Sequence, residues 1–183
     1  MASSGTLAGV VNPYAEGLMG LAQANDLTPK ISEDIGFLMG LINDSDSFYA
    51  FLSNPLVSDE SKKSLLRKSV SEHLHPYTFN FLMILIDRKR MSLLKNICSK
   101  YQDIYRKLNK IALAEVVSAV PLSDDQQEAV RQKVIQITGA HSVELESQID
   151  ADLIGGVVIK VGSQVLDASL KGQLRRIGLS LSS

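Results

Sequence analysis

Up to about Leu108 the apolar positions recur at spacings of three and four residues, and beyond it they begin to alternate. Asn12-Pro13 reads as a helix start, with Tyr14, Leu18, Leu21 and Ala22 forming a stripe that ends near Asn25. Thr28-Pro29 repeats the signal ahead of Ile31, Ile35, Leu38, Met39 and Ile42. A short helix from about Asp46 to Ser53 carries Phe48, Phe51 and Leu52. It stops at Asn54-Pro55, because the residue before a proline avoids the α region. Ser58 caps a fourth helix running to about Leu74, with Asp59 and Glu60 near the positive end of its dipole. His75-Pro76 opens a fifth that ends near Lys89. A sixth starts near Met91 and presents Leu94, Ile97, Cys98, Tyr101, Ile104, Tyr105 and Leu108. Six helices with short connections predict a bundle.

The later pattern predicts strands and two further helices. Ala114 to Val120 is rich in β-formers and ends at Pro121. Ser123-Asp124-Asp125 caps a helix that ends at Gly139. Ser142 to Ile149 alternates, with Val143, Leu145 and Ile149 on one face, as a half-buried strand does. Val157–Val161 and Gln164–Leu166 form a hairpin whose Gly162-Ser163 loop suits a type II′ turn. Ser169 caps a last helix with Leu170, Leu174 and Ile177 inward and Lys171, Arg175 and Arg176 outward. The predicted fold class is α+β: a six-helix bundle over residues 1–108, then a small α/β domain over 109–183 with a short sheet and two helices.

Composition narrows the function classes. Nineteen basic and twenty acidic residues leave a net charge of −1, which gives no electrostatic reason to expect nucleic acid as a partner. The longest strongly apolar run, Phe81 to Ile86, is far short of the ~20 residues that cross a bilayer, so no direct membrane insertion is expected. The N-terminus has neither a basic region nor a long apolar stretch and does not read as a secretory signal. The single cysteine, Cys98, sits on an apolar helix face and reads as a buried, inert thiol.

No catalytic constellation emerges, and neither a metal nor a cofactor is expected. His73 and His75 lie two apart and next to a proline break, so they mark a helix boundary rather than a metal site. His141 is isolated in a turn. Gly155-Gly156 lacks either phosphate-loop spacing and reads as a place where backbones approach closely. Asp124-Asp125 is explained by capping, and Arg88-Lys89-Arg90 by a helix C-terminus. The fifth helix is different. Phe79, Phe81, Leu82, Met83, Ile84, Leu85 and Ile86 leave almost no polar face across its middle. A residue pointing outward from it would suit a partner's amphipathic helix, and the first helix supplies the other wall of that groove.

Three stretches carry a resemblance. They are Asp152 with Gly156 to Gly162, Val165, Asp167, Ser169 and Leu174; Pro13-Tyr14-Ala15; and Asp87-Arg88-Lys89-Arg90-Met91. Together they resemble the delta subunits of F-type ATP synthases, the bacterial and plastid counterparts of the oligomycin-sensitivity-conferring protein, over nearly the whole chain. The resemblance implies a non-catalytic peripheral-stalk subunit, one copy per complex, that holds the alpha and beta catalytic hexamer to b-type stalk subunits. It implies that the N-terminal helix of an alpha subunit lies between helices one and five, on Tyr14, Gly17, Leu18, Asn80 and Ile84. The stalk would meet the last helix and hairpin, with Lys171, Arg175 and Arg176 as contacts. The branch it looks most like is cyanobacterial or plastid, which implies a peripheral location on the cytoplasmic or stromal face of a thylakoid membrane. The residues alone also fit a free-standing helical adaptor for an amphipathic peptide.

Overall fold

The computed structural model describes residues 4–170 and residue 172. Within it the chain divides into two compact units, Met1–Tyr105 and Arg106–Ser183. The helices are α1 (Ser4–Ala24), α2 (Thr28–Asp44), α3 (Asp46–Ser53), α4 (Asp59–Ser69), α5 (Pro76–Asp87), α6 (Leu94–Asn109) and α7 (Asp124–Thr138). The strands are β1 (Ile111–Ser118), β2 (Ser142–Ile149), β3 (Val157–Val161) and β4 (Gln164–Asp167). The fold class is α+β, as the two periodicities predict.

In the N-terminal unit α1 starts well before Asn12, and Pro13 lies inside it. The stripe that fixes the helix is longer than Tyr14 to Ala22. Val11 is buried one turn ahead of Ala15 and joins the same core, so burial carries the helix through a proline that cannot donate to the preceding turn. α4 ends at Ser69 rather than near Leu74. The Ser71 hydroxyl occupies the Arg67 carbonyl at 2.5 Å, a local bond that competes with the helix ladder. Val70 and Leu74 are nevertheless buried in the turn that follows. α5 closes with a pair of bonds, Arg90 N–H to the Leu85 carbonyl at 2.8 Å and Lys89 N–H to that of Ile86 at 2.9 Å, and then a 3-10 turn, Met91–Leu93, leads into α6.

The C-terminal unit is a four-stranded sheet in the order β2-β1-β3-β4. β1 runs parallel to β2 through the α7 crossover, and β1/β3 and β3/β4 are antiparallel. α7 begins with a complete capping box, the Ser123 and Gln126 side chains each accepting the other's backbone N–H. It lays Val130 and Val134 with Ala114, Val116 and Ile159 into one small core. Ile149, expected to face inward, is 58% exposed. It pairs with Ser118 at the end of the sheet where α7 begins, and the first turns of α7 are Asp124-Asp125-Gln126-Gln127-Glu128, which offer it no apolar cover. The hairpin forms as expected: φ is +57° at Gly162 and negative at Ser163, the signs a type II′ turn requires.

Candidate partner-binding groove

A groove of about 320 Å3 runs between α1 and α5. From α1 it takes Tyr14, Gly17, Leu18 and Leu21, and from α5 Tyr77, Asn80, Phe81 and Ile84. Each wall is therefore an i, i+3, i+4, i+7 face, the pattern by which one helix meets another. The five residues that the resemblance assigns to an alpha-subunit helix, Tyr14, Gly17, Leu18, Asn80 and Ile84, line this one groove. Pro13, Leu21, Tyr77 and Phe81 complete it, and the same spacing from Tyr14 and Ile84 would have found the last three.

The walls are apolar yet accessible. Leu18 is buried at the base, whereas Ile84 is 50% exposed. Leaving half an isoleucine in water costs on the order of 1 kcal/mol that a partner would recover. A Cβ placed on Gly17 would meet no atom of the chain, so this glycine does not serve close packing within the bundle. Its missing side chain keeps the groove floor open, while costing the helix ~0.5–1 kcal/mol relative to alanine.

The walls are held by contacts that the sequence did not announce. Tyr14 and Phe81 meet edge to face at 6.2 Å between centroids. The Arg90 guanidinium lies 5.3 Å over the Tyr14 ring and donates to its hydroxyl at 3.0 Å. Arg88-Lys89-Arg90 stands at the C-terminal end of α5, with Arg88 as its C-cap, where cations complement the dipole, and Lys89 in addition pairs with Asp59. Asp34, unremarked in the sequence, is buried in α2. It accepts from the Thr78 hydroxyl at 2.6 Å and the His75 N–H at 2.8 Å. Its other oxygen accepts no hydrogen bond but lies 3.1 Å from Lys30 Nζ, an ion pair in which the close carboxylate raises the lysine pKa. One carboxylate so pins the start of α5 to α2 and sets where the second wall begins.

The histidines behave as boundary residues. His75 Nδ1 accepts the Tyr77 N–H at 3.2 Å as a helix cap, and His73 packs on Phe37. His141 is exposed. Among the described residues no group of three or more His, Cys, Asp or Glu is placed to hold a metal, and no helix is long and apolar enough to cross a membrane. Cys98 is buried and its thiol is pushed up to about 12 by that burial.

In the C-terminal unit the signature residues are architectural. Gly156 has φ +80°, and a Cβ there would lie 2.4 Å from the Ala168 carbonyl oxygen and 2.8 Å from Ser169 Cα. The chain leaving β4 runs against this glycine, bonded by Ala168 N–H to the Val157 carbonyl and Leu170 N–H to that of Gly155. Asp167 Oδ1 accepts from the Ser169 N–H and hydroxyl at 3.0 and 2.6 Å. Ser169 Oγ in turn accepts the Gly172 N–H at 3.0 Å, as an N-cap does. The Asp152 N–H is bound by Asp150, while Gly162 makes the hairpin turn. Leu170, expected inward, is 48% exposed, lying over Gly155. Lys171, Arg175 and Arg176, and with them Leu174 and Ile177, lie outside the described residues.

A family model described as ATP synthase delta (OSCP) subunit matches residues 10–181. ATP synthase subunit delta of Gloeothece citriformis is 49% identical over 172 residues, covering 94% of each chain. That of Nostoc punctiforme is 46% identical over 183 residues, all of both chains. Among solved structures, a chain in the cryo-EM structure of the Toxoplasma gondii mitochondrial ATP synthase hexamer matches with a TM-score of 0.74 at 26% identity. That match covers 95% of this chain and 98% of the other. The match runs through the helical groove and the glycine signature alike, and the chain belongs to the ATP synthase delta (OSCP) subunit family.

Proposed function

We propose that the α1/α5 groove seats the N-terminal helix of an ATP synthase alpha subunit and that residues 109–183 meet the C-terminal ends of b-type stalk subunits. As a member of the delta family the chain is a non-catalytic peripheral-stalk subunit of the F-type ATP synthase, peripheral to the membrane that carries the complex. One copy would join the alpha and beta hexamer to the stalk, on the cytoplasmic or stromal face of a thylakoid membrane. The task is mechanical: to resist the rotor's torque, so that rotation drives synthesis instead of turning the whole head.

The observation that carries the reading is the pair of complementary helix faces with Ile84 half exposed between them. A partner helix burying ~600 Å2 of apolar surface there would gain about 15 kcal/mol at ~25 cal/mol per Å2, before association costs remove much of it. Such a margin is compatible with tight binding from a single helix.

Rebinding tests the proposal. Immobilised full-length chain should retain the purified alpha and beta hexamer and lose it when the alpha N-terminal helices are trimmed away. Equal retention of trimmed and intact hexamers would overturn the groove assignment. A free-standing adaptor would hold the isolated peptide without holding the hexamer.

A further inference from the structure

The walls of the α1/α5 groove are apolar, but its two ends differ in charge. α1 and α5 run along it in opposite directions: Tyr14 meets Phe81, and farther on Asn25 accepts from the Tyr77 hydroxyl at 3.4 Å. At the Tyr14 end stand Arg88 and Arg90, just beyond Ile84 in the chain. At the Tyr77 end Asn25 is followed by Asp26. From Ser4 to Ala15 α1 carries no charged residue, so it supplies no counter-charge of its own to the arginines.

The neighbouring carboxylates are already engaged. Lys89 pairs with Asp59, and Lys63 with Asp87 at 2.6 Å. Arg88 is exposed, and its guanidinium has no ion pair or hydrogen bond among the described residues. It follows Ile84 by four residues, the next position on the same face of α5. A side chain there leans back over the turn before it, which is the turn of Ile84. Arg90 lies over the Tyr14 ring and uses one N–H on the Tyr14 hydroxyl. It has no carboxylate partner among the described residues. A guanidinium is the cation best matched to a carboxylate, because its planar fork can donate to both oxygens. Apolar walls alone would accept a helical stripe in either direction or one turn out of place. A charge at one end removes that freedom, and Asp26 at the other end disfavours the reversed helix.

We propose that Arg88 and Arg90 read a carboxylate, an assignment that rests on the groove's proposed role. The helix seated between α1 and α5 carries an Asp or Glu at the end of its apolar stripe, and the two arginines fix its direction and register. Calorimetric titration of the full-length chain with a synthetic peptide of a cyanobacterial alpha subunit's N-terminal helix tests it. The titration is run at ~0.02 M and ~0.5 M NaCl, since salt screens exposed charges. Arg88→Gln removes a charge and breaks no contact within the chain, and it should weaken low-salt binding about threefold. With Arg90→Gln added, the loss should reach about tenfold or more and shrink at high salt. The peptide's Asp and Glu residues are then replaced one at a time by Asn or Gln. One position should weaken binding to the natural chain as much and to the double variant no further. Unchanged affinity in the double variant, a loss equal at both salt concentrations, or no such peptide position would overturn the carboxylate contact and leave the groove in place. A peptide that does not bind the natural chain would overturn the groove's role and this contact with it. Should the double variant fail to fold, Arg88→Gln with the same peptide series decides alone.

Discussion

The N-terminal unit hides a continuous apolar core from Val11 to Tyr101, whereas the described residues of the C-terminal unit bury Ala114, Val116, Val130, Val134 and Ile159 to that depth. The first unit is specified by side chains: helices pack, and the faces they do not need for packing are left for a partner. The second is specified largely by its backbone, through a mixed four-stranded ladder and a place beside Gly156 where only glycine fits. The contrast explains why the partner groove is written in helix periodicity and the family signature in glycines and short polar residues. A groove tolerates many apolar side chains of similar size, but a 2.4 Å approach tolerates no Cβ.

The comparison can be broken first at the side-chain core. Leu82 is fully buried on α5, and Leu82→Ala should cost about 2–5 kcal/mol in urea denaturation, the range for a buried leucine that leaves a cavity. A loss under about 1 kcal/mol would mean that the bundle does not depend on this packing.

A backbone change should instead decide the other unit. Gly156→Ala forces φ +80° on an alanine and sets its Cβ against the Ala168 carbonyl, for a loss of about 1–3 kcal/mol or more. Hydrogen exchange should show lost protection in β3 and β4 with α1 to α6 unchanged. Loss spread evenly over both units would contradict their separate construction.

Alkali should sharpen the contrast with a smaller effect. Burial pushes the Cys98 thiol and the Tyr101 hydroxyl up to about 12 from ordinary values of 9.0 and 10.0. These folded-state values are raised, so the stability is fully present below pH 9. It falls as the unfolded chain ionises first, and is lost toward pH 12. The expected loss is on the order of 1 kcal/mol by pH 10. The cysteine and every tyrosine lie between Tyr14 and Tyr105, so the thiol and phenol contribution falls on the N-terminal unit. Stability that is flat from pH 8 to 10.5, measured by urea denaturation, would contradict it.

Local signals were legible before the structure was known. The caps at Ser58 and Ser123 and the turn at Gly162 stand where a hydroxyl or a positive φ can be read from a few residues. The groove faces were legible because helix spacing alone sets them. Long-range causes were not. Pro13 imitates a helix start, and only the burial of Val11 against distant helices shows that α1 continues before it. Asp34 reads as a solvated helix residue until His75 and Thr78 arrive from α5, more than forty residues away. Arg90 on Tyr14 joins positions still farther apart. The need for glycine at position 156 becomes visible once the chain after β4 lies across it, and the exposure of Ile149 depends on which turns of α7 cover the sheet.

The most direct test of the account is calorimetric titration of the full-length chain with a synthetic peptide of a cyanobacterial alpha subunit's N-terminal helix. The natural chain and Ile84→Asp would be compared with Val165→Asp, an exposed change on β4. The account predicts submicromolar one-to-one binding by the natural chain and by Val165→Asp. It predicts about a hundredfold weakening, ~2.7 kcal/mol, for Ile84→Asp with its helical circular dichroism intact. Binding by a folded Ile84→Asp chain as tight as the natural one, or no binding by the natural chain, would contradict it.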